Sequence, residues 1–436
     1  MAAKPSACPV AHDFPFVKSD PMTMPAEFAR LREREPVARV RLPSGDLAWL
    51  ITRYADAKAV LSDWRFSRDT ARPGAARMNT AIGFGNHGNP FADPPDHTRW
   101  RRLVARAFTA RRVERMRPRI QGIVDRLVGE MIDRGPEADL MEALAYPLPI
   151  TVLCDMLGVP VGDQVRFRGW IDDMLNAAFT SERRMEAAAL LIDYARGMSE
   201  AKRRDPGEDM LSALVAVRDE DDGRLDDDEL FVTIMTLLVA GYKTTAAQIG
   251  KGLLTLFRHP DQLAAARARR DQASLRRVSE ELLRFTPPGA GYGIARYALE
   301  DVEVGGVVIP AGSTVFVARH SGNRDEAHFP DAERFDIGRE TANQHLTFGA
   351  GPAFCVGAPV ARMELELAFE ALLHRLPGLA PAVPESEIPW NSDTAAQAPV
   401  HVPITWDGPA ARRAEAERLR SLSRSDATGT TAVATR

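Results

Sequence analysis

The chain alternates between long stretches of helical character and a few short β-like runs, with glycine and proline clusters between them. Residues 1–36 are Pro-rich and then briefly helical. VARVRLPSGDLAWLITRY follows as two β-like segments around a Pro-Ser-Gly-Asp turn. Ala55 to Leu61 reads as a short helix. Arg72 to Pro95, rich in Gly, Pro and Asn, reads as a loop long enough to be functional or mobile. From Asp96 to Glu220 the pattern is mainly helical, broken at Gly135-Pro136, Pro147, Gly158-Val159-Pro160 and Pro206-Gly207. The acids Asp226, Asp227, Asp228 and Glu229 favour a helix N-terminus, so a helix is expected from about Glu229 to Phe257, on the order of 40 Å long. Ser274 to Phe285 and Pro359 to Leu376 are further expected helices, with β-like runs Gly293–Ala298, Val302–Ile309 and Thr314–Arg319 between them. After Trp406 the Ala-, Arg-, Ser- and Thr-rich tail has no hydrophobic face and is expected to be largely disordered. The pattern predicts a mainly α chain with small β-sheets and no internal repeat.

At 436 residues the chain could hold about three domains or one large fold, and nothing in its composition forces a division. Lys plus Arg is 56 against 60 for Asp plus Glu, so no overall charge points to nucleic acid or an anionic membrane, and any charged partner must meet a local patch. Cys8, Cys154 and Cys355 are too few and too scattered for a disulfide framework, which fits a reducing cytosol. The N-terminus lacks a basic n-region and an apolar h-region, and the long central helix is interrupted by Gly241, Lys243 and Thr244, so a soluble, unanchored cytoplasmic protein is expected. Between Arg99 and Arg119 nine arginines face one acid, Glu114. Such a run is either a solvated face or a docking patch for an acidic protein.

The stretch Phe348-Gly349-Ala350-Gly351-Pro352-Ala353-Phe354-Cys355-Val356-Gly357 carries the chemistry. A cysteine just before a helix N-terminus, fed by a glycine turn, is offered the positive potential and N–H donors that hold a thiolate. Cys355 is therefore a candidate metal ligand, where a lone cysteine would be a small buried hydrophobe. F-G-x-G-x-x-x-C-x-G closely resembles the haem-binding loop of the cytochrome P-450 family. That resemblance covers roughly residues 14–406, which it makes one haem domain built around the long central helix, flanked by a flexible segment 1–13 and a tail 407–436.

What the resemblance implies is specific. Cys355 would be the axial ligand of the iron of haem b, seated by Phe348, Gly349 and Gly357. His97 and Arg101, four apart, resemble the H-x-x-x-R that holds a haem propionate, and Arg296 matches the strand arginine for the other propionate. Read alone, that arginine-rich helix would be a solvated surface. Ala353 departs from the family, which carries His or Arg there for a propionate, and His345 is a candidate substitute. Glu281 and Arg284, on their own an i,i+3 surface pair, match E-x-x-R, and Arg334 stands where a third member locking the cysteine loop is expected.

Ala240-Gly241-Tyr242-Lys243-Thr244-Thr245 resembles A-G-x-[DE]-T-T, the oxygen-activation motif. Gly241 would leave room above the iron and Thr244 would turn its hydroxyl toward dioxygen or water. The alternative is a threonine back-bonded to the carbonyl of Ala240. Lys243, one of six lysines beside fifty arginines, replaces the usual acid. It is expected to pair with an acid on a neighbouring helix. Pocket walls are assigned by position to residues 72–95 and 176–182, to Val239 and Ala240, to Gly289, Ala290, Gly291 and Tyr292, and to Ala395. The small residues among them suit a multi-ring substrate.

The expected activity is that of a haem-thiolate monooxygenase, hydroxylating or epoxidising a small organic molecule with O2. Electrons would come from an external ferredoxin or flavodoxin and its reductase, with no nucleic acid or membrane involved. The alternatives are the same site used for coupling, desaturation or peroxide-driven oxidation, and a non-catalytic haem sensor or electron carrier.

Overall fold

The computed structural model describes residues 11–78, 91–175, 179–207, 209–220, 227–289, 293–391 and 397–408. Helices dominate. Those that matter for the site are α1 (Tyr54–Ser62), α2 (Asp96–Ala107), α3 (Ala110–Arg134), α4 (Pro147–Leu157), α5 (Gln164–Leu175), α6 (Asp227–Arg258), α7 (Gln272–Phe285) and α8 (Ala358–Arg375). Local chemistry sets several of these boundaries. The Thr109 side chain accepts from the N–H of Arg112 at the start of α3, and the Asp271 side chain accepts from that of Ser274 at the start of α7. Gly158 ends α4 in the left-handed conformation, and Pro359 sits in the first turn of α8.

The main sheet has six strands: β1 (His12–Asp13), β2 (Val37–Arg41), β3 (Leu47–Ile51), β4 (Phe66–Ser67), β5 (Ile294–Ala298) and β6 (Thr314–Val317). Their spatial order is β1-β2-β3-β6-β5-β4. His12 and Asp13 already pair with Val40 and Arg41, so the sheet begins inside the segment expected to be flexible. β6 is shorter than expected, because the chain leaves the sheet after Val317 and Arg319 opens a helical turn that ends at Gly322. The tail beyond Gly408 lies outside the described residues.

α6 is the central member, packed against α4, α7 and α8 within one large hydrophobic core. A Cβ on Gly252 would stand 2.5 Å from the Phe369 ring on α8, so glycine is what lets α6 and α8 approach so closely. By length and apolar composition α6 is also the one helix among the described residues that could cross a membrane, but about half of that apolar stretch is buried in the core.

Candidate haem-thiolate site

The cysteine loop is set by backbone geometry. Gly349 (φ 80°) and Gly351 (φ 66°) adopt left-handed conformations, and a Cβ on Gly351 would lie 2.6 Å from the Cα of Ser62 on α1. The Cys355 N–H donates to the Phe348 carbonyl at 2.9 Å, closing the loop. The thiol itself is accessible, and burial by its surroundings pushes it above its ordinary value, opposed by the N–H groups of Gly357 and Ala358 and by Arg101 and Arg319. Coordination to a metal would deprotonate such a thiol outright.

Two buried networks fix this loop from behind. Arg284 donates to Glu281 at 2.7 and 2.8 Å, with both side chains fully buried. Its remaining donors go to the carbonyls of Asn323, Ala332 and Arg334. Arg334 thus contributes its carbonyl, while its own side chain is exposed. The third side chain of the network is Arg339, whose Nε faces Glu281 at 3.4 Å. Asp331, in a left-handed conformation (φ 52°), accepts at its carbonyl from both the Arg334 N–H and the Arg339 guanidinium.

The second network corrects the expectation for His345. Its Nε2 lies 3.1 Å from Glu280 and its Nδ1 accepts from the Thr347 N–H. Both ring nitrogens are used, so His345 is not a substitute propionate ligand. Glu280 also receives Arg362 of α8 at 2.6 Å, joining α7 to α8. This network went unread in the sequence, although Glu280 beside Glu281 and Arg362 after the cysteine were the available signals. Phe348 lies under the Arg362 guanidinium, 4.6 Å from the ring centroid.

The other predicted haem ligands gather as a cluster of cations. His97 is 1 % exposed with its Nδ1 unpaired, and burial, Arg68 and Arg101 push it down to about 4. The imidazole is thereby held neutral at pH 7, and an arriving propionate would act in the opposite direction. Arg296 is buried, and Arg68 and Arg319 beside it help burial to push it down to about 9. Asp93 is the one acid that acts on this group, and it is already engaged by Ser67, by the Arg68 N–H and by Arg72. Buried cations short of anions beside an accessible thiol fit an iron porphyrin carrying carboxylates. Arg68 and Arg319 belong to the cluster and were missed from the sequence, because no local spacing ties them to Cys355.

On α6, Lys243 reaches Asp172 of α5 at 2.6 Å and lies over the rings of Tyr146 and Tyr242. The paired lysine is thus found on the neighbouring helix. Thr244 donates to the Ala240 carbonyl at 2.5 Å, the back-bonded rotamer, which leaves its oxygen free only to accept. The missing side chain of Gly241 faces Leu153 of α4, whose methyls would stand 3.3 Å from a Cβ, so this glycine admits a neighbouring helix. One turn further, Thr245 hydrogen-bonds the buried Glu364 of α8, whose carboxyl burial pushes up to about 8. Of the pocket candidates, Gly289 takes a left-handed φ of 108°. Ala290, Gly291, Tyr292, Ala395 and the side chain of Val239 lie outside the described residues.

Comparison with known proteins agrees with this geometry. The family model for Cytochrome P450 matches residues 4–388. Nocardicin C N-oxygenase of Nocardia uniformis subsp. tsuyamanensis is 44% identical over 396 residues, covering 90% of this chain and 98% of the relative. Mycinamicin IV hydroxylase/epoxidase of Micromonospora griseorubida is 42% identical, with coverage of 90% and 98%. The solved structure of SgvP, described as a putative thioether synthase in a tailoring step of griseoviridin, superposes with a TM-score of 0.83 at 42% identity, covering 91% of this chain and all of that one. The chain belongs to the cytochrome P450 family. It is a haem-iron monooxygenase of the secondary-metabolite type, and it depends on a separate redox partner.

Proposed function

We propose that this enzyme holds haem b through Cys355 and inserts oxygen into a multi-ring secondary metabolite. The observation that carries the reading is the accessible Cys355 thiol, held in a glycine-fixed loop beside a buried cluster of cations. When bound, a thiolate-ligated haem supplies the activation of O2 for attack on C–H or C=C bonds. The chain's own residues do the rest. Arg101, Arg296 and His97 would hold the porphyrin through its propionates. Thr244, at the open face of α6, accepts a hydrogen bond from a water and so holds a proton donor near the reacting centre. Lys243, tied to Asp172, fixes α5 against this turn.

The names of the relatives support a tailoring reaction on a large natural product, and the small residues at 289–291 fit that size. The described likeness to a putative thioether synthase favours a second reading, oxidative bond formation without net oxygen insertion. Electrons would come from an acidic ferredoxin or flavodoxin in the cytoplasm. Among the nine arginines, Arg99, Arg117 and Arg119 are taken up by Glu229, Glu366 and Asp155, whereas Arg102, Arg111 and Arg115 are exposed and have no acid partner among the described residues. A cavity of about 830 Å³ beside them, between α3 and α4, contains none of the haem-site residues.

A ferrous-CO spectrum typical of thiolate ligation is expected, together with oxygenated product from a ferredoxin-driven reaction on macrolide or peptide-derived compounds that shift the spin state. Cys355→Ser should lose the band and all turnover. A thiolate-type band retained in that variant would refute the assignment of the ligand.

A further inference from the structure

The sequence leaves the cysteine loop without a cation at Ala353, and the structure supplies one from elsewhere. β6 ends at Val317, where it pairs with Ile294 of β5, and the same ladder pairs Val315 with Arg296. Leaving the sheet there brings Arg319 toward the loop, and its Nη1 donates to the carbonyl of Thr347, the residue immediately before Phe348. The Nε of Arg319 is buried and has no partner among the described residues. No carboxylate is among the groups acting on this guanidinium. The one anion-forming group among them is Cys355, and Arg319 in turn acts on Arg296.

A buried guanidinium without an acid is costly unless an anion arrives. Haem binding would bring two kinds of anion here, the thiolate of Cys355 and the two propionates of the porphyrin. The sulfur is already approached by the N–H groups of Gly357 and Ala358. The propionate side is the one left short, because Ala353 opens with only a methyl onto a small gap of about 10 Å³ lined also by Asp63, Trp64, Arg68, Arg296 and Pro352, and Asp63 is taken up by Arg65. Arg319 lies outside this gap but close enough to act on Arg296, and its guanidinium fork matches a carboxylate.

We propose that Arg319 binds a haem propionate and supplies the cationic contact that Ala353 cannot make. The inference rests on the haem-thiolate reading above. It assigns to this chain an anchoring residue that lies 36 residues before Cys355 in sequence, outside the cysteine loop.

The test is a cycle between protein and cofactor. Wild type and Arg319→Leu are each loaded with haem b and with its dimethyl ester, in which both propionates are uncharged, and transfer to an apo-myoglobin acceptor is timed. With haem b, Arg319→Leu should lose the cofactor about tenfold faster or more, since a charge-assisted contact is gone. With the ester, the two proteins should lose it at the same rate. Adding Ala353→Arg to Arg319→Leu should restore slow loss of haem b. Equal haem b transfer from wild type and Arg319→Leu overturns the proposal. So does an acceleration that persists undiminished with the ester, which would place the arginine's action on the loop or the sulfur. If Arg319→Leu does not fold, the same cycle is run with Arg319→Gln, which removes the charge but keeps a polar side chain that can still donate to the Thr347 carbonyl, and the same two outcomes decide. A wild type lacking the thiolate-type ferrous-CO band would refute the family-based site instead, and is read separately from the transfer rates.

Discussion

The two sides of the site are built differently. Behind Cys355, nearly every polar group is committed several times over: Glu281 to Arg284, Arg339 and the Asp336 N–H, Glu280 to His345 and Arg362, Thr347 to the Leu283 carbonyl and Asn323. Across from it, in the middle of α6, the ties are single. Lys243 has one acid, Thr244 has its own helix, and buried Gln248 has no partner for either amide atom among the described residues. On the haem reading proposed above, the loop that must hold one position is over-determined, and the turn of α6 that would face a substrate keeps spare hydrogen-bonding capacity.

The comparison breaks if the tight side tolerates loss. Glu281→Gln leaves Arg284 buried without its carboxylate, and should cost about 3–5 kcal/mol in urea unfolding followed at the haem band. Arg339→Leu should cost about 1–3 kcal/mol, since it gives up bonds to the carbonyls of Pro330, Asp331 and Arg334 as well as Glu281. Arg334→Leu should stay within about 0.5 kcal/mol, because its side chain is exposed. A larger loss at Arg334 than at Arg339 would return the third place in the network to Arg334.

On the loose side the effect should fall on chemistry and spare stability. The Lys243–Asp172 pair is about one-third exposed on each partner, so Lys243→Glu should change unfolding free energy by no more than about 1 kcal/mol. Its effect should appear as a higher ratio of product formed to reductant consumed, because an acid returns to a position next to Thr244 that can give up and regain a proton. Equal or lower coupling with intact haem would mean that the lysine serves turnover directly.

Much of this was legible in the chain. α6 was expected from about Glu229 to Phe257 and runs from Asp227 to Arg258. The cysteine loop and the Glu281–Arg284 network came through the family resemblance, since spacing alone reads the latter as a surface pair whereas both side chains are buried. What escaped depends on contacts between distant segments. Spacing cannot say whether Arg334 or Arg339 turns inward. His345 looked free because Glu280, 65 residues earlier, is its partner. Arg319 was read as the end of a strand, and only the early exit of β6 directs it toward the loop.

Glu364 gives the two sides a joint of a third kind. Held between α8 and Thr245 of α6, it faces no cation among the groups acting on it, so at neutral pH it stays a carboxylic acid. The unfolded chain gives up this proton near 4.5 and the folded one near 8. Its contribution is therefore fully present below the unfolded value and drains away as pH rises through the folded one. Glu364→Gln, neutral throughout, should flatten the decline in urea midpoint between about pH 4.5 and about pH 8, and an unchanged slope would place that sensitivity elsewhere. A single retained hydrogen atom thus makes the fold firmest in mild acid, and above the folded value nothing of its contribution is left to lose.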